Sequence, residues 1–306
     1  MVVMYLQYIC VLMMKITRAS VAAMDDILGE KFAVLDKGFV RVIDYMGCDE
    51  AIVQAARVSY GDGTKTKRQD EALINYLVKY KHTSPLEMCE VKFHIKLPIF
   101  IARQWIRHRT ANVNEVSARY SILPQDFYIP SPQNISVQST DNKQGRGKTL
   151  SPEQAQKVMQ ILQQDAQTCY QNYEDMINSH NLARELARIN LTLNFYTEWY
   201  WKIDLHNLLH FLNLRLHPHA QYEIREYAQI MFKIVQKWCP FAAGAFSKHI
   251  IGSSVISTTA NALLKDIAKN GLQSQWFESF TSNLDENLQK YSLSKREYEE
   301  LMYLLV

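Results

Sequence analysis

Apolar and polar residues alternate most regularly in residues 89–97, CEVKFHIKL, where every second position from Cys89 to Leu97 is apolar. Successive side chains of a strand point to opposite faces, so this pattern predicts a strand with one buried face. The run GFVRVI at 38–43, bounded by Gly38 and Gly47, predicts a second strand. The N-terminal half is therefore expected to supply a sheet.

Patterns typical of helices lie before and after the strand predicted at residues 89–97. Residues 69–81 carry an apolar stripe at i, i+3, i+4 and i+7, which predicts an amphipathic helix. Pro85 limits it, because the residue before a proline avoids the helical region. Pro98 suits the first turn of a helix running to about residue 108. Asp49 is a plausible N-cap for a further helix that ends near Ser59.

The C-terminal half is predicted to be mostly helical. Ser151 and Pro152 form a cap and first-turn proline for a long helix to about residue 178. Ser294 and Glu297 have the spacing of a capping box for one last short helix. Further helices are predicted at 182–201, 206–214 and 219–238, the last stopped by Pro240. The polar stretch 134–148 is predicted to be a mobile loop.

Composition places the chain among ordinary soluble globular proteins. It has 306 residues, of which 47% are hydrophobic and 21% charged, and a net charge of +3. This near-neutral charge gives no support for nucleic acid as a partner. Five scattered cysteines without a C-x-x-C pair argue against a disulfide framework and a structural zinc site, and favour a reducing, cytoplasmic setting.

The apolar N-terminal run MVVMYLQYICVLMM has no membrane role in this interpretation. It is shorter than the roughly 20 residues that a membrane span needs. Its positive residues, Lys15 and Arg18, follow the apolar run instead of preceding it as in a secretory signal. We expect an extension, with no membrane partner.

The densest group of chemically active residues lies in 102–120, ARQWIRHRTANVNEVSARY. Like charges one turn apart on a helix repel by a few tenths of a kcal/mol, so its arginines indicate an anionic ligand. The planar arginine fork suits phosphate in particular. Two alternatives remain from the residues alone: a solvated basic patch with surrounding ion pairs, and an RNA-binding surface. The local extent of the basic residues counts against RNA.

The string R-H-R, seven residues, then Ser, from Arg107 to Ser117, resembles the signature of flavin-dependent thymidylate synthases. Other segments resemble that family in the same order: FAVLDKGFVRVID, AARVSY, HTSPLE, FHIKLPIFIARQWIRHR, NEVSARYS, FYIPSP, LNFYT and NLLHFLNLRLHPHAQYEIREYA. The resemblance covers about residues 32–250. On it, the chain is identified as a member of that family.

The resemblance implies reductive methylation of dUMP to dTMP. Methylenetetrahydrofolate would supply the one-carbon unit, FAD would carry the hydride, and NADPH would reduce the FAD. No cysteine nucleophile and no metal are implied. The family's enzymes are homotetramers with sites between subunits, so a homotetramer is expected here.

The resemblance also assigns residues to dUMP. Arg215 matches the catalytic arginine that polarises the uracil ring. In that role, a fixed positive charge stabilises the developing enolate. Ser117 is expected to hold the substrate by hydrogen bonds, since no base in the motif is placed to activate it. The matching dUMP positions are Gln104, Arg107, Glu115, Val116, Ser117, Ala118, Arg119, Arg188 and Arg215.

A second set matches FAD contacts: Ser59, Ser84, Glu87, Arg107, His108, Arg109, Glu115, Asp204, His206, His210 and His219. His82 matches a position near the folate and the flavin ring. Asp204, His206 and His210 stand at positions that vary between relatives, so the contacts at the adenine and pyrophosphate end are less firmly assigned than those to dUMP.

The expected fold is α+β, with a mixed or antiparallel sheet from the N-terminal half packed against long helices of the C-terminal half. One catalytic domain is expected at 26–253, flanked by extensions without a family counterpart at 1–25 and 254–306. Some residues are expected to lie outside the chemistry. His94 should face solvent, Arg184 should be a surface or interface charge, and Trp199 and Trp201 should belong to the core.

Overall fold

A five-stranded antiparallel sheet forms the centre of the N-terminal part of the chain in the computed structural model, which describes residues 18–58, 67–140, 144–251, 253–271, 275 and 281–303. The strands of this sheet are β1 (Lys31–Val34), β2 (Gly38–Met46), β3 (Glu90–Pro98), β4 (Asn112–Glu115) and β7 (Tyr196–Asp204); β5 (Ser136–Gln138) and β6 (Arg146–Thr149) form a separate hairpin. The spatial order is β1-β2-β3-β7-β4. The expected α+β fold with an antiparallel sheet is confirmed.

Contacts divide the chain into two compact units, Met1–Ile251 and Gly252–Val306. The helices of the first are α1 (Ala22–Asp25), α2 (Asp49–Arg57), α3 (Lys67–Lys79), α4 (Ser84–Glu87), α5 (Ile99–Trp105), α6 (Pro152–Asn178), α7 (Arg184–Ala187), α8 (Leu205–Arg215), α9 (Tyr222–Trp238) and α10 (Pro240–Phe246), with a π-helical turn at Ser247–Ile251. Those of the second are α11 (Thr258–Asn270), α12 (Leu284–Lys290) and α13 (Lys295–Tyr303). None of the described helices combines the length and hydropathy that crossing a bilayer requires.

Strand β3 confirms the prediction made from its alternating pattern. Val91, Phe93, Ile95 and Leu97 are almost completely buried and face the main core, whereas the polar residues between them are partly exposed. Strand β2 begins at the predicted Gly38 and continues three residues beyond the predicted end. One face of the sheet therefore carries the apolar residues that hold the helices.

The predicted helix at 182–201 is wrong. Only the short α7 and a 3₁₀ turn at Arg188–Asn190 are helical there, and the chain then enters β7. Trp199, Trp201 and Ile203 are buried, while Tyr200 between them is exposed, which is the period of a strand. The sheet is thus not built from the N-terminal half alone, because a strand from the C-terminal half lies between β3 and β4.

The remaining long helices agree with prediction apart from their ends. Ser151 caps α6 through a capping box with Gln154, as the Ser-Pro sequence predicts. Helix α9 begins at Tyr222 and not at 219, because the preceding residues form a turn in which Ala220 N–H donates to the carbonyl of His217 at 2.8 Å. Helix α10, which follows the predicted stop at Pro240, was not expected from the pattern.

Trp105, at the end of α5, lies at the centre of the main core. Its side chain is fully buried, and its ring centroid lies 4.6 Å from Phe211 of α8 and 5.3 Å from Trp201 of β7. The expected core role of Trp199 and Trp201 is confirmed, on a strand. This aromatic packing fixes α5 and α8 against each other, and both helices end at the candidate site described below.

The stretch 134–148 is not simply a loop. β5 and β6 pair antiparallel within it. Arg146 of β6 donates to both carboxylate oxygens of the buried Glu223 on α9, at 2.6 and 2.7 Å. This ion pair, made through one guanidinium nitrogen, attaches the hairpin to the main unit, so the predicted mobility does not extend to its base.

Asp49 links two helices through a buried carboxylate. It is the first residue of α2, not its N-cap, which is Cys48. Its oxygens accept backbone N–H groups of Phe241 and Ala242, in the first turn of α10, at 2.7 and 3.1 Å. Burial raises the pKa of Asp49 to about 6, although the two hydrogen bonds act to lower it.

This raised pKa predicts a pH-dependent stability. Because the folded pKa lies above the ordinary 3.8, the contribution of Asp49 is fully present below about pH 4 and is lost as pH rises through about 6. Asp49→Asn should therefore gain stability relative to the wild type over this interval, by up to about 3 kcal/mol. Urea unfolding of both proteins between about pH 4 and 7.5 measures the difference in their free energies of unfolding. A difference that does not change with pH contradicts the prediction, and Asp44→Asn, at an exposed position, serves as the control.

The second unit has its own small core, formed by residues such as Leu263, Ile267 and Tyr298. The predicted capping box of its last helix is confirmed: Ser294 Oγ accepts from Glu297 N–H at 3.2 Å, and the Glu297 carboxylate accepts from Ser294 N–H at 3.0 Å. The hydrogen bonds to Ser294 lower the pKa of Glu297.

Candidate functional site

A cavity of about 440 Å³ lies between the turn that follows α5 and the exposed side of α8. Its lining is mostly cationic or imidazole: Arg107, His108, Arg109, Thr110, His206, Asn207, His210, Leu214 and Arg215. Six of these residues were predicted to bind flavin or dUMP from positions about a hundred residues apart in sequence. The structure brings them together at one place.

The two sides of the cavity are positioned by helix ends. Helix α5 stops at Trp105, and His108 N–H donates to the carbonyl of Trp105 at 2.9 Å, which turns the R-H-R segment away from the helix axis. Helix α8 starts at its N-cap Asp204, whose carboxylate accepts from the backbone and side chain of Asn207 at 2.9 and 2.7 Å. Asp204 therefore acts as a cap that orients the first turn of α8.

His108 is held between these two sides. Its ring lies 5.6 Å from that of His210 and 5.5 Å from that of Phe211, measured between centroids. Burial lowers the pKa of His108, and the charges of His210 and Arg215 lower it further. Its Nε2 lies 3.1 Å from Thr110 Oγ1. The neutral form of His108, which keeps one donor and one acceptor, is therefore favoured near neutral pH.

Arg215, the last residue of α8, is the most unusual charge in the cavity. Burial lowers the pKa of its guanidinium, although arginine keeps its charge at neutral pH. Its Nε is buried and has no hydrogen-bond partner among the described protein atoms, and the same holds for Oε1 of Gln104 on α5. An unpaired buried polar atom costs about 1–3 kcal/mol. Of these two residues, Arg215 lines the cavity, where its guanidinium can donate to a ligand.

A second group of predicted residues forms around Glu185 on α7. The Arg119 guanidinium lies 3.2 Å from the Glu185 carboxylate, and Arg188 Nε donates to the Glu185 carbonyl at 3.4 Å. Arg184 is an exposed charge, as expected, and donates to the Tyr120 carbonyl at 2.7 Å. Arg119 therefore pairs with the Glu185 carboxylate, while Arg184 and Arg188 contact backbone carbonyls in the same region. Such a group of arginines is suited to a phosphate, which brings further negative charge.

Ser117 precedes this arginine group. Its Oγ accepts from the backbone N–H of Arg119 at 3.3 Å. This contact resembles a turn in which the hydroxyl orders the local backbone, and it does not activate the oxygen as a nucleophile. Ala118 is buried beside it in a smaller core with Tyr170 and Tyr173 of α6.

Glu115 and Val116 face a different cavity, of about 400 Å³, on the polar face of the sheet. The Glu115 carboxylate accepts from Thr197 Oγ1 of β7 at 2.7 Å. Thr197 is buried, so this contact fixes the position of the glutamate at the end of β4.

His94 contributes to the same cavity, so the expectation that it faces solvent is wrong. Its Nε2 lies 2.8 Å from the Glu198 carboxylate, its Nδ1 contacts Arg41, and its ring stacks on Tyr200. Burial lowers its pKa most, and the nearby Arg41 charge lowers it further. The polar face of a sheet can still be partly covered by its own side chains, which alternation alone does not show.

Other predicted residues line neither of these two cavities. Ser84 and Glu87 are exposed on the short α4, which packs against α8. His82, just before α4, stacks on Tyr76 with ring centroids 5.5 Å apart. His219 lies next to His217, at 4.9 Å between rings. Ser59 lies outside the described residues.

Sequence reasoning did not identify Glu185, Asn207, Thr110 or Leu214. Asn207 carried one usable signal, since it stands three residues after Asp204 and begins a helix. Glu185 had none, because its significance comes from arginines that the fold places beside it. Among the described residues, no group of three or more histidine, cysteine and carboxylate side chains has a metal-binding arrangement.

Comparison with known proteins gives a consistent set of relatives. The family described as "Thymidylate synthase complementing protein" matches residues 41–241. The flavin-dependent thymidylate synthase of Rickettsia conorii is 54% identical over 297 residues, covering 93% of this chain and 97% of the relative. That of Wolbachia pipientis is 53% identical over 288 residues, covering 94% and 96%.

Among solved structures, a UMP/dUMP methylase, PolB, from Streptomyces cacaoi bound with 5-Br dUMP is similar, with 29% identity and a TM-score of 0.65. The match covers 72% of this chain and 98% of that one. The alignments with the Rickettsia and Wolbachia relatives cover 93% and 94% of this chain. The part that they leave out is shorter than the unit Gly252–Val306. Part of that unit therefore has a counterpart in both relatives, which differs from the expectation of an extension without one.

Proposed function

This chain belongs to the flavin-dependent thymidylate synthase family, and on that premise we propose that it converts dUMP to dTMP by reductive methylation. Methylenetetrahydrofolate is the proposed one-carbon donor and NADPH the proposed reductant of FAD. The observation that carries the proposal is the half-buried guanidinium of Arg215, which lines a cavity with Arg107 and His108 and whose Nε has no partner among the described protein atoms.

The cavity fits a flavin nucleotide by its chemistry. Arg107, Arg109 and His206 present donors suited to a pyrophosphate, and the neutral His108 can both donate and accept. When bound, the flavin supplies the hydride that completes the methyl group. The protein contributes fixed charge and orientation, with Asn207 and Asp204 holding the first turn of α8 in place.

For dUMP, the proposed roles divide between two positions. Arg119 and Arg188 bind the phosphate, which the group around Glu185 supports. Arg215 lies beside the uracil and stabilises negative charge that develops on the ring, since a preorganised charge in a buried site needs little reorganisation. Gln104, with its unpaired Oε1, accepts a hydrogen bond from the same substrate.

The state of the cysteines supports a reaction without a thiol nucleophile. Cys48, Cys89 and Cys239 are buried in the core, and burial raises the pKa of Cys48 to about 11 and that of Cys239 well above its usual range. Nucleophilic attack needs the thiolate, which such burial disfavours. All four cysteines in the described part of the chain are free, in keeping with a cytoplasmic setting.

A homotetramer with shared sites is proposed for a geometric reason. His82, Ser84 and Glu87 lie on and before α4, whereas Glu115 faces the polar side of the sheet and Arg107 lines the cavity at α8. Residues assigned to one pair of ligands thus do not line a single cavity of one chain, which supports completion of each site by neighbouring subunits. The ring of His82, stacked on Tyr76, is a suitable surface for a planar folate ring. We retain residues 26–253 as the proposed catalytic domain.

The proposed reaction is tested by tritium release from dUMP labelled at the carbon that receives the methyl group. We expect the purified chain to be yellow from bound flavin, and to release tritium only when NADPH and methylenetetrahydrofolate are both present. A flavin-containing protein that neither binds dUMP nor releases tritium would contradict the proposal and would indicate a flavoprotein of another function.

A further inference from the structure

A basic groove of about 640 Å³ lies between α3 and the segment formed by α10 and the π-helical turn. It shares no lining residue with either cavity of the candidate site. Arg68 and Lys79 line it from α3, and Lys248 and His249 line it from the π-helical turn. We use the name basic groove for this surface below.

Positive charge converges on this groove from both sides. Glu71 is the single acidic residue among its lining residues. Arg68, Lys79 and Lys248 make no ion pair with any residue that the structure describes. Clefts lined by one sign of charge concentrate the electrostatic potential and attract ligands of the opposite sign. The groove therefore favours an anion.

The charges of Lys79 and Lys248 both reach His249, which lies between the two walls of the groove. Its Nε2 lies 3.2 Å from Asn75 Oδ1 of α3, so the imidazole bridges the two walls. Burial lowers the pKa of His249, and the charges of Lys248 and Lys79, on opposite walls, lower it further. A bound anion would lie within the field of both ammonium groups.

Two exposed tyrosines add a flat surface to the charge. Tyr76 and Tyr80 line the groove, are each more than half exposed, and have ring centroids 4.7 Å apart. Lys79 Nζ lies 5.3 Å from the centroid of the Tyr80 ring. Aromatic rings beside cations are the groups that bind a planar base and its phosphates together.

Gly244 keeps the floor of the groove open. It is exposed in α10 and lines the groove, and a Cβ added there would have no heavy atom within 4 Å. Glycine inside a helix is less stable than alanine, and no neighbouring atom or positive φ requires it here. Its effect is to leave room, which a larger side chain can fill without a clash.

We propose that the basic groove binds a nucleoside polyphosphate, with the phosphates between Arg68, Lys79 and Lys248 and the base against Tyr80. Its volume is within the range of about 300–1,000 Å³ of small-molecule sites. This proposal does not depend on the reaction proposed for the cavity at Arg215, because it rests on different residues.

Calorimetry with the full-length chain tests the groove, using dTTP, inorganic tripolyphosphate and thymidine as separate probes. We expect dTTP to bind most tightly, tripolyphosphate more weakly and thymidine not measurably. Lys248→Glu reverses a charge beside the phosphates, and Gly244→Leu fills the space on the floor of the groove. Each should weaken dTTP binding by at least about tenfold. Lys237→Glu, an equal charge change at an exposed position of α9 outside the groove, should change it by less than about twofold.

The same measurements distinguish the groove from the candidate active site. Arg119→Ala alters the proposed dUMP phosphate position and should leave dTTP binding at the groove intact. Binding that survives in both Lys248→Glu and Gly244→Leu would overturn the proposal, as would equal affinity for dTTP and tripolyphosphate, which would remove the role of Tyr80. Circular dichroism of the two groove variants confirms that loss of binding is not loss of folding.

Discussion

Arg215→Ala should reduce tritium release from dUMP by roughly 10²- to 10³-fold, the loss expected when one preorganised electrostatic group is removed. The guanidinium is half-buried at the end of α8, and its Nε has no partner among the described protein atoms. The Arg215→Ala substitution removes the positive charge, and no described protein group loses a hydrogen bond to Nε. The bound flavin should remain, because Arg107, Arg109 and His206 are unchanged. Flavin absorbance and tritium release are measured on the same preparation.

Two further variants make this result specific. Arg215→Lys keeps the charge but loses the planar fork, so it should recover only part of the activity. Arg18→Ala removes an exposed arginine paired with Asp44 and should retain full activity. Unchanged turnover in Arg215→Ala would exclude the proposed role.

Arg119→Ala should raise the KM for dUMP by roughly 10- to 100-fold with little change in kcat. A hydrogen bond to a charged group contributes about 1.5–3 kcal/mol, and each 1.4 kcal/mol is a factor of ten in affinity. An arginine that only binds phosphate acts equally on the ground state and the transition state, so the loss appears in KM. Initial rates over a range of dUMP concentrations measure both constants.

Glu185→Gln is the matched control for this prediction. Arg119 lies 3.2 Å from the Glu185 carboxylate, which competes with the phosphate for the same guanidinium. Neutralising Glu185 should leave the KM unchanged or lower it. If Glu185→Gln raises the KM as much as Arg119→Ala, the ion pair itself positions the site, and the direct phosphate contact proposed for Arg119 is wrong.

The fold could be predicted wherever one periodicity dominated a segment. Alternation in β3 and the capped start of α6 each determined the element type, and the structure agrees. β7 was misassigned because one helix was predicted for all of 182–201, whereas the alternation of Trp199, Trp201 and Ile203 begins only after a turn. In such a segment the local pattern changes within a few residues, and the tertiary pairing with β3 decides the outcome.

The candidate site was predictable from the sequence to the extent that its residues are contiguous. Arg107, His108 and Arg109 form one side of the cavity as a short segment, and family resemblance identified Arg215 on the other side. Glu185 and His94 were missed or misplaced because their partners, Arg119 and Glu198, are brought to them only by folding. Pair interactions between distant segments leave no periodic trace in a single sequence.

The position of β7 between β3 and β4 also determines the order in which the molecule can form. His94 on β3 contacts Glu198 on β7, 104 residues later, so the central pairing has a high contact order. During synthesis, β3 keeps one unpaired edge and β4 has no neighbour until the chain extends to Asp204. Asp204 is also the N-cap of α8, which carries Arg215. Neither the sheet nor the first turn of α8 can therefore be complete before Asp204 has been synthesised. A nascent or truncated chain that ends before Asp204 exposes a strand edge prone to aggregation.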